Sequence, residues 1–123
     1  MSLLQTLTVC LVAAIHLYLM FVEMFAWESR GARFLTRFDQ EFFAISKPLA
    51  ANMGLYNGFF AVGLLLSQFF LAPPFQAKAL MFLLSCLAIA GIVGARTAEK
   101  KLFLVQSVPA FVGIGLVLLV LLA

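Results

Sequence analysis

Charge is what this chain has least of. Only 11% of its residues are Asp, Glu, Lys or Arg, where a soluble domain carries about 25%. So little charge cannot cover a surface in water, which excludes an ordinary soluble fold. The chain has one histidine, His16, and two cysteines, Cys10 and Cys86. Their spacing fits no metal or redox site, so both cysteines read as small buried hydrophobes, and neither a metal centre nor a cofactor is expected. No glycine-rich phosphate loop and no Ser/His/Asp arrangement is present, so nucleotide and hydrolytic chemistry lack support. The net charge of +3 does not point to nucleic acid, because basic residues beside membrane spans follow from the positive-inside rule.

What fills the chain instead is apolar: 65% of its 123 residues are hydrophobic. A membrane-spanning helix takes about 20 such residues, so four spans with short connections use up the length and leave no separate soluble domain. The expected fold is all-α, an integral membrane four-helix bundle forming one domain over residues 1–123, with spans at about 3–27, 49–71, 75–95 and 102–122. The first run, Leu3 to Trp27, lacks a basic start and is longer than a signal-peptide core, so it reads as a retained span. Between the first two spans Phe34, Phe38, Phe42 and Ile45 recur at steps of four, four and three, opposite Arg33, Arg37, Gln40 and Glu41. That pattern describes a short interfacial amphipathic helix over about 33–45.

Breakers and small residues set the remaining expectations. Pro48 suits the start of the second span, and Ala72-Pro73-Pro74 a tight reversal after it. Pro109 is expected to kink the fourth span, where Gly113 and Gly115 soften or pack it. Gly54 and Gly58 form a small-xxx-small pair, followed by Gly63, and Ala88, Gly91 and Ala95 line one face of the third span, so both helices can be approached closely. The first and third connections hold Arg30, Arg33, Arg37, Lys47, Arg96, Lys100 and Lys101, while the second holds only Lys78. This asymmetry predicts a membrane protein crossing several times, with both termini outside the cytoplasm.

An ionisable group inside a span is costly and is by default a functional candidate. His16 and Glu23 are seven residues apart on one helical face, with Met20 and Trp27 completing a stripe. At about 1.5 Å per residue, Glu23 lies roughly 6 Å, Asn52 roughly 5 Å and Gln106 roughly 6 Å from the ends of their spans on the basic side. Tyr56 and Asn57 lie a turn or more deeper, and His16 about 10 Å deeper than Glu23. The expected site is a polar cavity floored by His16 with Glu23 on its wall. Glu23 and His16 are the candidate catalytic residues. Asn52, Tyr56, Asn57, Gln106 and Trp27 are candidate ligand-binding residues. The neutral ones also fit simple hydrogen bonding between helices, and Trp27 fits an interfacial anchor.

These residues carry a resemblance. The sequence resembles the small four-span, mostly bacterial membrane proteins of the domain of unknown function 1304 family. It does so in His16-Leu-Tyr through Glu23-Met-Phe-Ala-Trp27, Ala51-Asn52-Met53-Gly54-Leu55-Tyr56-Asn57-Gly58, Ala90-Gly91-Ile92-Val93-Gly94-Ala95, and Val105-Gln106 with Pro109. Members often carry Gln where this chain has Met53. The family is similar in size and span count to the DoxX-like proteins, which implies a compact four-helix bundle and no particular activity.

Three functions fit. The first is binding of a lipid-like or amphiphilic small molecule, with Glu23 and His16 holding or moving a proton. The second is proton-coupled transport by a dimer, as in small exporters built around one carboxylate. The third is a non-catalytic scaffold or partner subunit. Membrane lipids, an amphiphilic ligand and a second copy of the chain are the partners consistent with these readings.

Overall fold

Ser2 starts the first helix, its hydroxyl accepting the Gln5 N–H at 3.0 Å. In a computed structural model, which describes residues 2–123, α1 spans Leu3–Phe25 and stops at Ala26, whose φ of −138° leaves the helical region. A π-helical turn over Trp27–Gly31 and a single α turn, α2 (Ala32–Phe34), carry the chain to Asp39. The Asp39 carboxylate accepts the Phe42 N–H at 2.9 Å and so caps α3 (Gln40–Phe70). After Leu71 and Ala72 the chain reverses into α4 (Pro73–Thr97), and a second π-helical turn, Phe103–Ser107, leads into α5 (Val108–Leu122). No strand is present among the described residues. Four helical stretches, in α1, α3, α4 and Phe103–Leu122, are long and apolar enough to cross a membrane.

The segment between the first two spans departs from expectation. No separate helix covers 33–45: its end is the opening of α3, which runs without interruption through Pro48. Pro48 lacks the N–H that would reach the Ala44 carbonyl, but Ala44 is exposed, so polar surroundings can satisfy that oxygen. At about 1.5 Å per residue the 31 residues of α3 make about 46 Å, against a hydrocarbon core of about 30 Å. The surplus lies where Glu41 and Lys47 sit, so the charged first turns stand clear of the apolar layer, and Lys47 meets Glu28 at 3.2 Å. The expected stripe is also rotated. Phe43, not Ile45, is fully buried, and Ile45 is 71% exposed.

The prolines act at helix starts more than at helix ends. Pro73 and Pro74 occupy the first positions of α4, where a missing N–H costs nothing, and only two residues make the turn. Pro109 sits just after the π turn, and the Val108 N–H bonds to the Phe103 carbonyl five residues back. The wider turn makes room where a proline ring would otherwise meet the carbonyl four residues before it.

Glycines decide which helices touch closely. A Cβ on Gly54 would lie 2.7 Å from Met24 Cγ and 3.0 Å from the Met20 carbonyl, and one on Gly58 would lie 2.6 Å from Met20 Sδ, so α3 is seated on α1. Gly91 plays the same part between α4 and the second π turn, where a Cβ would come within 2.7 Å of the Ser107 nitrogen. The Ser107 hydroxyl there donates to the Ala88 carbonyl at 2.7 Å. Gly63 faces Leu83 of α4 instead of α1. The bundle is therefore two tight pairs, α1 with α3 and α4 with α5, closed on each other around Val9, Val12, Leu64, Leu80, Leu84 and Ala110.

Gly91→Ala should thus lower stability by about 1–3 kcal/mol, since the obstructing atom is backbone, whereas Gly115→Ala, with nothing within 4 Å, should be neutral or slightly stabilising. Thermal unfolding of the two variants in the same detergent checks the contrast, and equal melting temperatures would contradict the packing.

Candidate functional site

Toward the end of the bundle where α1 begins and α5 ends, glutamine side chains tie three helices together. There Gln5 Nε2 donates to Gln68 Oε1 at 3.2 Å, Gln68 Nε2 to Thr6 Oγ1 at 2.9 Å, and Gln76 Nε2 to the Gln68 carbonyl at 2.7 Å. This polar clasp joins α1, α3 and α4. Toward the other end, where the basic connections lie, the pairs diverge and leave a cavity of about 830 Å³. Its walls come from three long helices and the second π turn: Ile15, Leu19 and Glu23 of α1, Met53, Asn57 and Phe60 of α3, Leu87, Ala90 and Gly94 of α4, and Val105 and Gln106 before α5. Ala90, one turn before Gly94 on the same face of α4, adds only a methyl group to the wall.

A small second core forms the roof. Trp27 is buried against Leu35, Phe43 and Ala50, with Phe34, Phe38 and Phe42 around them. The indole meets the Phe43 ring edge-on at 5.1 Å, and its Nε1–H donates to the Ser46 hydroxyl at 2.9 Å. Gly31 lies beneath the indole, where a Cβ would come within 2.6 Å of the ring, so the π turn that follows Trp27 can be this tight only with glycine there. Trp27, Leu35, Phe34 and Ala98 all face the cavity from above. The aromatic connection is therefore packed onto the bundle as a cover.

The sequence-derived site residues divide. Glu23, Tyr56, Asn57, Gln106 and Trp27 line the cavity. Asn57 Nδ2 donates a hydrogen bond to Glu23 Oε1, joining α3 to α1 in the wall. His16 and Asn52 are not among the lining residues. His16 is fully buried on the core side of α1, directly below Glu23 in the helical register. A carbonyl only accepts, so His16 Nδ1 donates to the Val12 carbonyl at 2.8 Å, and this fixes the proton on Nδ1; Nε2 has no partner among the described residues. Asn52 is exposed on the outside of α3, about 100° around from the cavity-facing Met53. The cavity is consequently floored by apolar side chains, with its polar groups on the walls and under the roof.

Two lining residues carry chemistry that sequence reasoning passed over. Arg30, counted only as a loop charge, folds back from the first connection so that its Nη1 donates to the Tyr18 hydroxyl at 3.2 Å and its guanidinium lies 5.7 Å from the Phe21 ring centre. Tyr18 and Arg30 both line the cavity. Twelve residues separate them, too far for a helical register to reveal, because the break at Ala26 turns the chain back on itself. Among the described residues no group of three or more His, Cys, Asp or Glu could hold a metal ion.

Fold and site together define a membrane bundle of four spans, clasped at one end and opened into a roofed cavity at the other. The chain belongs to the family described as Protein of unknown function (DUF1304), whose model matches residues 10–118. It is similar to the uncharacterized protein YpaA of Lactococcus lactis subsp. lactis (strain IL1403), 30% identical over 108 residues that make up 86% of this chain and 89% of that protein. No solved structure matches it significantly.

The Glu23–Asn57 bond makes a prediction about the wall. Glu23→Gln keeps an acceptor for Asn57 and should change stability little, whereas Asn57→Leu leaves the Glu23 carboxylate without its donor and should cost about 1–2 kcal/mol. In the Glu23→Gln background the Asn57→Leu penalty should shrink, and a double-mutant cycle of melting temperatures in detergent measures the coupling.

Proposed function

We propose that this protein binds an amphiphilic small molecule inside the membrane, its apolar body between the helix pairs and its polar head under the aromatic roof. The observation that carries this reading is the cavity itself. Its volume of about 830 Å³ falls in the range of ligand sites, about 300–1,000 Å³. Its lining follows the usual composition of such sites, mainly apolar with a few converging polar groups, here Glu23, Asn57, Gln106, Tyr56 and Arg30. A bundle whose only task is to hold its own register would gain from closing this space, since unfilled apolar walls lose dispersion contacts.

Within the bound complex Glu23 is the group suited to hold a proton for the ligand's head, being the one carboxylate in the wall. His16, enclosed below it with a bare Nε2, is suited to receive one only if water or ligand reaches that depth. Seven of the eight basic residues lie at the roofed end, all but Lys78, and the positive-inside rule supports a cytoplasmic position for it in a bacterial inner membrane. Dimeric proton-coupled transport draws less support, because Glu23 is engaged by Asn57 of the same chain.

Purified protein released from mild detergent should carry one retained amphiphile in native mass spectrometry. Ala90→Trp, which puts an indole into the cavity, should lose that adduct while its circular dichroism stays helical. A bare wild-type mass, or an adduct undisturbed by the indole, would refute the binding reading.

A further inference from the structure

One arginine, Arg30, lines the cavity, and among the described residues it has no counter-ion. The Arg30 guanidinium has the Tyr18 hydroxyl and the Phe21 ring as its neighbours. The sole ion pair among the described residues is Lys47 with Glu28. Tyr18 is seven residues before the end of α1 at Phe25, which puts its backbone about 10 Å inside the helix end at 1.5 Å per residue. Arg30 therefore reaches from the connection back along the exposed side of α1, beside Phe21, to Tyr18, which lines the cavity with it. An unpaired cation held there is costly and calls for an anion.

We infer that the ligand is an anionic amphiphile, and that Arg30 and Tyr18 grip its phosphate or carboxylate head while its chain enters the cavity between α1 and the other helices. The inference rests on the binding function proposed above and names the chemical class of the occupant. The guanidinium spends one N–H on Tyr18 and keeps others in a planar fork suited to two oxygens of one oxyanion. The Tyr18 hydroxyl accepts from Arg30 and still has its own proton to donate to the same head. Behind this pair the wall turns apolar at Ile15, Phe60 and Leu87, where an acyl chain would lie.

The charge of the whole end agrees. Arg30, Arg33, Arg37, Lys47, Arg96, Lys100 and Lys101 stand against Glu28, Asp39, Glu41 and Glu99, an excess of three positive charges that draws anionic lipids to this surface. A cationic head would have to pass this field and Arg30 to reach Glu23, whose carboxylate already accepts from Asn57.

Trp27 supplies the readout, since it is the one tryptophan of the chain and lines the cavity. Full-length protein in detergent micelles is titrated with three brominated-chain probes of equal length: a monoacyl phosphate, a neutral monoacylglycerol and an alkylamine. Saturable quenching of Trp27 should occur at about tenfold lower concentration for the phosphate than for the glycerol, the size expected for one charge-assisted contact. Arg30→Gln should bring these two probes to parity, Arg30→Lys should keep part of the preference, and Tyr18→Phe should reduce it about threefold. Inorganic phosphate alone should not displace the bound probe. Parity in the wild type, preference for the amine, a preference that survives Arg30→Gln, or displacement by inorganic phosphate would overturn the anionic-amphiphile assignment and leave the cavity-binding reading in place. Absence of saturable quenching by all three probes would overturn both.

Discussion

Everything in this bundle depends on how closely backbones can approach one another at two places. Gly54 and Gly58 let α3 settle onto Met20 and Met24 of α1, and Gly91 lets α4 settle onto the turn at Gln106 and Ser107. In a membrane no water is expelled when apolar helices meet, so association comes from dispersion contacts and from hydrogen bonds that close approach allows. The chain uses both: the Ser107 hydroxyl reaches the Ala88 carbonyl where Gly91 makes room. Each pair is tight because Gly54 and Gly58 face α1 and Gly91 faces the turn before α5. Between the pairs, toward the basic end, wider side chains and the methyl of Ala90 leave space unfilled.

The polar groups follow from the same economy. In hydrocarbon an unsatisfied polar side chain is costly, and most of those buried here have found partners. The glutamines bond to one another at the clasped end, Trp27 bonds to Ser46 under the roof, and Asn57 bonds to Glu23 in the wall. The exceptions are therefore informative. Two buried atoms have no partner among the described residues, Gln5 Oε1 at the clasped end and His16 Nε2 below the cavity, while the exposed Arg30 guanidinium has a hydroxyl and a ring but no anion. Arg30 lines the cavity, whereas His16 is enclosed by the core.

Much of the fold could be read from residue types. Four apolar runs separated by charges or prolines mark four spans, and the small residues at Gly54, Gly58 and Gly91 mark close contacts. The first connection was harder. Its aromatics repeat at helical spacing, which predicts an independent helix on the bilayer surface, yet Trp27 and Phe43 attract one another and fold the segment onto the bundle as a cover. Pro48 looked like a beginning and proved to be an interior position, because a proline in a helix is tolerated where the freed carbonyl stays accessible. Of the residues expected to converge on a site, Glu23, Tyr56, Asn57, Gln106 and Trp27 share the cavity, while Asn52, grouped by depth, and His16, grouped by its shared face with Glu23, do not line it.

The sequence by itself determined an all-helical chain of four apolar spans with its basic residues gathered at one end, because hydropathy, charge and rise per residue are properties of single helices. Only the tertiary structure decided which side chains face one space. Rotation about a helix axis is set by what its neighbours present: the glycine contacts turn Asn52 outward and Asn57 inward. The break after Phe25 likewise sends Arg30 back to Tyr18. Contacts between residues that far apart in the chain depend on a chain reversal that no periodicity records.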